Sequence, residues 1–243
     1  MLSSKLVIVA AGTTTALAAL APAAMIDLTQ PNSSGSVNGA LFQTTNIQPT
    51  GTGVIDPFVR LQNNGLEQGY NTSASNMPFD EKPGIWTHDL RLSDMGGRVV
   101  DGVPYYEFLL DINQASGGDN RLLSLDAIQI YTSPLGGQST TNVASLGALR
   151  YNLDAGGDNW IKLDYSLNSG SGSGDMHMLV PVSLFATTSS NSFVYLFSAF
   201  GTHHSANAGF EEWAASRDPV QVPAPGAFAL IGVGTFAMAR RRR

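Results

Sequence analysis

Glu211 and Glu212, in the stretch Gly-Phe-Glu-Glu-Trp, are the residues whose types most directly suggest chemistry. Glycoside hydrolysis needs two carboxyl groups about 5–10 Å apart across a sugar, and Trp213 beside them is of the kind on which sugars stack. Neighbours on a strand point to opposite faces, however, so the two glutamates are not a pair by themselves. One of them would need a distant acid, and nothing in the sequence selects it. Trp213 is read first as core and second as a sugar platform. The four histidines are His88, His177, His203 and His204. His203 and His204 are adjacent in Gly-Thr-His-His-Ser, with no carboxylate at helical spacing, which reads as solvated loop rather than a metal site. Serines are plentiful, but Gly170–Gly174 is a Gly/Ser loop, not the strand-to-helix elbow of a serine hydrolase. Asp111, Asn113 and Asp119 open like a calcium loop. Ala115 and Ser116 then stand where an acid and a glycine belong, and Leu122 replaces the closing acid. That motif fails, leaving only a looser calcium site at Asp119 or Asp158. No catalytic residue and no required cofactor emerges.

These residues lie on segments that alternate. In Tyr105–Ile112, Tyr106, Phe108, Leu110 and Ile112 share one face, with Glu107 and Asp111 on the other. Ile161, Leu163, Tyr165 and Leu167 oppose Lys162, Asp164 and Ser166, and Met176, Met178, Val180 and Val182 oppose His177. Period two over such lengths marks strands with one buried face. Phe193–Phe200 is apolar on both faces, as a central strand would be. Strands are expected near 53–62, 84–92, 97–101, 104–113, 121–132, 147–153, 159–167, 175–184, 191–200 and 208–214. Asp101-Gly102 is a hairpin turn. The sequence Gly-Gly-Asp-Asn at 117–120 and again at 156–159 reads as two similar strand-entry turns. The expected fold is all-β, an antiparallel β-sandwich of jelly-roll-like character over 53–215. Residues 24–52 read as an irregular lead-in with at most one edge strand, and 216–221 as a linker.

The two ends do not belong to that fold. Met1–Lys5 carries one positive side chain, an apolar stretch follows, and Ala21-Pro22-Ala23 places small residues where a signal peptidase reads. Residues 1–23 therefore read as a signal peptide cut after Ala23, with a cut after Ala24 as the alternative. At the other end, Val222–Ala239 is eighteen residues without a charge, followed by Arg240, Arg241, Arg242 and Arg243. As a helix from Val222 this run would be about 27 Å long, a short membrane span. The arginines would hold its end in the cytoplasm.

The box Val222-Pro223-Ala224-Pro225, a short apolar helix and a terminal arginine cluster, behind a signal peptide, resemble the PEP-CTERM sorting signal. Ala224 stands where that family usually has glutamate. The resemblance covers 222–243 and implies a transient inner-membrane anchor, removed by an exosortase-type membrane protease. It further implies delivery of the body to the cell surface or extracellular matrix of a Gram-negative bacterium.

Lys5 and the four tail arginines are five of the thirteen basic residues, whereas all nineteen acidic residues lie in the body. The exported part is thus near −11 although the whole chain is −6. Such a surface repels nucleic acid. Without cysteine, thiol catalysis and cysteine-held metals are excluded. The expected role is non-enzymatic, structural or adhesive, with weak binding of extracellular polysaccharide. The alternatives are a carbohydrate-active enzyme using Glu211 or Glu212, or a calcium-dependent binding module.

Overall fold

The computed structural model describes residues 23–44, 55–170, 174–207 and 209–220. Among these residues the regular structure is strands and short 3₁₀ turns, arranged as two seven-stranded sheets and a two-stranded ribbon. The first sheet runs β1 (Met25–Asp27), β12 (Trp160–Asp164), β10 (Leu122–Ser133), β14 (Phe193–Phe200) and β6 (Glu67–Tyr70). On it, β11 (Ala148–Asn152) pairs with β10 and β7 (Leu90–Arg91) with β14. The second sheet runs β2 (Ser34–Val37), β3 (Ala40–Thr44), β13 (Met176–Pro181), β9 (Val103–Asp111), β16 (Glu211–Ser216) and β4 (Ile55–Leu61), with β8 (Gly97–Val100) on β9. The ribbon joins β5 (Asn64–Gly65) to β15 (Ala206–Asn207). Every named pair is antiparallel except β1 with β12, which is parallel.

The period-two pattern explains the packing. Phe108, Leu110 and Ile112 are fully buried and meet Leu123, Leu125, Ile128 and Ile130 of the other sheet in one core. Met176, Met178 and Val180 of β13 join the same core, as do Ile161 and Leu163 of β12. Phe58 and Phe108 meet edge to face at 6.1 Å, the arrangement aromatic rings favour. As expected for a central strand, β14 is paired on both edges. Val194, Leu196 and Phe200 point into the main core, while Tyr195 and Phe197 form a second cluster with Tyr70, Tyr131 and Leu146. That cluster covers the outer face of the first sheet.

Asp101 and Gly102 both have positive φ, 50° and 81°, and they turn β8 into β9 with Val100 opposite Val103. This is the primed hairpin turn whose twist suits antiparallel strands. Asn38 and Gly39, at 51° and 86°, do the same between β2 and β3.

Several boundaries differ from the sequence reading. The lead-in is not irregular: Ile26, Leu28, Val37, Ala40 and Phe42 are buried in the main core, so the domain starts before residue 53. Residues 45–52 lie outside the described residues. The strand expected at 84–92 reduces to Leu90–Arg91, because Thr87 closes a turn onto Gly84. The Asp164 side chain accepts a hydrogen bond from Ser166 N and ends β12 in a 3₁₀ turn. Pro181 likewise leads β13 into Val182–Phe185. The 216–221 linker begins inside the fold, since Gly96 N donates to Ser216 O and Gly97 N to Asp218 O.

Candidate functional site

The alternation of β16 decides the fate of the two glutamates. Glu211 and Trp213 point inward, and both are fully buried. Trp213 is core, its indole N–H donating to Ser198 Oγ at 3.1 Å. Glu212 lies on the opposite face, 3.7 Å from Arg60; burial pushes its carboxyl up while Arg60 holds it down. As alternation requires, the two neighbours do not act together.

Glu211 nevertheless has a carboxyl partner that sequence reading missed. Glu67 of β6, opposite Phe200, also points into the space between the sheets and is 1% exposed. The two carboxyl groups are neighbours in this dry space, where Glu67 Oε1 and Glu211 Oε2 have no other hydrogen-bond partner among the described residues. Gln114 Nε2 donates to Glu211 Oε1, and Asn63 N donates to Glu67 Oε2 at 2.7 Å. Desolvation pushes Glu67 up to about 7. Burial, and then the charge of Glu67, raise Glu211 well above the carboxylate range. The pair therefore shares a proton, as two carboxyls in a dry site must. A glycosidase needs both acids open to a sugar ring, and these two are enclosed by packed side chains.

A second acid pair lies on the other side of the second sheet. Asp175 is buried, accepts a hydrogen bond from Ile112 N at 2.8 Å, and is raised to about 9 by burial and the nearby Asp111. Farther along that face, His177 Nδ1 lies 2.7 Å from Glu107 Oε1. Burial works against the charge of Glu107, but the His177 hydrogen bond and the charges of His177 and Arg98 hold its pKa below the usual range. His177 is thus buried against Glu107. His88 is a turn brace, its Nδ1 3.1 Å from Ile85 O.

The remaining histidines lie beside an aromatic ring at the surface. His203 stacks on Trp160 with ring centroids 4.2 Å apart and nearly parallel planes. Its Nδ1 lies 2.8 Å from Asp126 Oδ1. Ser124 Oγ donates to Asp126 Oδ2 and accepts from the backbone N–H groups of His203 and His204. Ser124 is buried and hydrogen-bonded to acid and backbone rather than to an imidazole. Serine, acid and histidine are neighbours without the order that would activate a nucleophile. His203 and His204 thus lie in a surface loop, as expected, with His203 exposed and His204 half-buried, and Asp126 and Ser124 brace that loop. Asp119 and Asp158, the residues of the looser calcium reading, are both exposed. Among the described residues no three acids or histidines are grouped as a metal site.

At the N-terminal junction Ala23 is exposed, and Ala24 N donates to Asn159 Oδ1 at 2.8 Å. The chain enters the first sheet there. Ala21, the box Val222–Pro225, the membrane helix expected after it and Arg240–Arg243 lie outside the described residues. No helix among the described residues is long and apolar enough to cross a membrane.

Comparison with known families supplies what the body's geometry does not. The PEP-CTERM protein-sorting motif matches residues 221–243. The chain carries that sorting motif. A PEP-CTERM tail marks a protein that is exported, transiently anchored in the membrane, processed by an exosortase and released at the cell surface. No curated protein and no solved structure matches the chain, so the motif speaks for the tail and the body must be read from its own residues.

Proposed function

We propose that the mature body is a non-enzymatic, structural or adhesive component of the cell surface or extracellular matrix of a Gram-negative bacterium, making weak contact with polysaccharide. The observation that carries this reading is the placement of Glu67 and Glu211, paired inside the core rather than across a cleft. Sugar contact falls to the Trp160–His203 stack, where an aromatic ring and Asp126 lie side by side. Stacking on one ring with one carboxylate at hand favours weak, broad recognition. Export begins with removal of residues 1–23, leaving Ala24 to start the fold. The tail then delivers the body through exosortase processing, after which Val222–Pro225 no longer retains it.

The test uses the body purified after processing and the host's own extracellular polysaccharide. Co-sedimentation is expected, falling severalfold in Trp160→Ala, with no new reducing ends released over time. Reducing ends that appear with the native body and vanish in Glu211→Gln or Glu212→Gln would replace this reading with an enzyme.

A further inference from the structure

We propose that the end of the sandwich from which the sorting tail leaves is a lipid-contact surface, with the Ile85–Trp86 loop as the part that enters the membrane interface. The inference rests on the anchoring role of the tail, not on any polysaccharide role of the body. It starts at Gly96 and Gly97. Their N–H groups bind Ser216 O at 2.6 Å and Asp218 O at 2.7 Å, and the Asp218 N–H returns to Ser216 Oγ. A Cβ on Gly96 would overlap the backbone of Asp218, and one on Gly97 would overlap Tyr105 O. The two glycines thus clip the chain down where side chains would keep it away. Val220 follows in a shallow apolar groove with Leu92, Met95, Tyr106 and Phe185.

Only Pro219, Val220 and Gln221 separate the clip from the box. Four Cα steps reach about 14 Å at full extension. The headgroup layer on each side of a bilayer is itself roughly 6 Å deep. An anchored precursor therefore holds the clipped end of its body against the headgroups.

Beside the clip stands the Ile85–Trp86 loop. Ile85 is 77% exposed and Trp86 42%, while Thr87 behind them is buried. The loop is braced rather than loose: Arg60 N donates to Thr87 Oγ1 and His88 N to Phe58 O. The brace lies at Phe58 and Arg60, part-way along β4, and His88 Nδ1 is 3.1 Å from Ile85 O. His88 and Arg217 line one cleft, with Asp89 and Asp94. Loop and clip therefore border the same cleft. Tryptophan prefers the depth where membrane meets water, and a neighbouring isoleucine adds apolar area for the same interface. Asp89 and Asp94 line that cleft with Arg217, and this acidic excess gives anionic headgroups no hold, so the contact is apolar rather than electrostatic.

The experiment reconstitutes the full-length precursor in vesicles of phosphatidylethanolamine and phosphatidylglycerol carrying a quencher at headgroup depth. The Trp86 signal is the part of the fluorescence that disappears in Trp86→Phe. It should be quenched, and should remain so in high salt. Inserting about twenty Gly/Ser residues between Gln221 and Val222 lowers the effective concentration of the body at its own membrane by roughly tenfold, and the quenching should fall severalfold. Trp86 unquenched in the native precursor overturns the proposal. Quenching that survives the insertion overturns the role of the clip, and quenching relieved by salt overturns its apolar character. Protection of Trp86 only when the processing protease is co-reconstituted assigns the surface to that protein instead. None of these outcomes depends on whether the body binds polysaccharide.

Discussion

Two clusters in this protein contain the ingredients of acid–base chemistry, and they differ in access to water. Glu67 and Glu211 share a proton in a dry space between the sheets, held by Gln114 and Asn63. Asp126 and His203 sit near the surface against Trp160, with the carboxylate also fixed by Ser124 and Thr202 N. The first has strongly shifted acids and no room for a substrate. The second has a route to solvent but lacks an activated nucleophile. Perturbed pKa values point to function only where a ligand can reach them. Here the most perturbed acids, Glu211 and Asp175, are buried, whereas the surface cluster is the one a ligand can reach.

The largest test of this contrast uses Trp213 and Trp160. Trp213→Ala removes a fully buried ring beneath Glu211 and should cost about 3–5 kcal/mol in denaturant unfolding. Trp160→Ala, at the half-exposed cluster, should cost less than about 1 kcal/mol. Equal losses would show that the surface cluster is core as well.

The acid pair makes a pH prediction of somewhat smaller size. Glu67 is raised from its ordinary value to about 7 in the folded protein. The folded state therefore holds a proton that the unfolded chain gives up near 4.5. This stability is fully present below about 4.5 and is lost as pH rises through about 7, a change of roughly 2–3 kcal/mol. Asp175, raised to about 9, adds a slope of the same sign. The reading is thus the difference between native protein and Glu67→Gln across that interval. A native protein that gains stability relative to Glu67→Gln as pH rises from 5 toward 7 would contradict the buried, proton-sharing arrangement.

Much of the fold was open to reading because burial follows alternation. Phe108, Leu110, Met178, Ile161 and Leu196 sit where period two puts them. The lead-in has the composition of a loop, yet its Asn38-Gly39 is the same hairpin signal as Asp101-Gly102. Phe42 and Val37 then reach the core from strands of only five and four residues. The parallel pairing of β1 with β12 leaves no local trace, since a pattern along one strand says nothing about its distant neighbour. Glu67 was hidden for the same reason. It stands in a two-acid arrangement only after β6 and β16, from different sheets, are brought together. Alternation along β16 correctly separated Glu211 from Glu212 but could not name the partner.

Asp126→Ala tests the surface side of the comparison at smaller magnitude. The carboxylate braces His203, Ser124 and the Thr202 N–H; the exposed His203 and Thr202 can turn to water, and the buried Ser124 keeps its bonds to the His203 and His204 N–H groups. The expected loss is about 1 kcal/mol, with a change in Trp160 fluorescence as His203 leaves its stacked position. A loss as large as that of Trp213→Ala would move this cluster into the structural core and end its candidacy as a contact site.

The smallest expected effect is the most informative about function. Glu67→Gln and Glu211→Gln keep side-chain size and replace the shared proton with amide hydrogens, so packing survives. If the body contacts polysaccharide through Trp160 and His203, both variants should bind it within about twofold of the native protein, a difference of about 0.4 kcal/mol. The same assay should give no reducing ends for any of the three proteins. Isotherms of the native body and the two variants against one polysaccharide preparation, at a pH below 7 where Glu67 is largely protonated, make the comparison clean. A binding loss of tenfold or more in either variant, with unfolding curves unchanged, would mean that the pair communicates with the ligand. The core between the sheets would then have to open in solution, and the division between a buried acid pair and an accessible contact surface would fall.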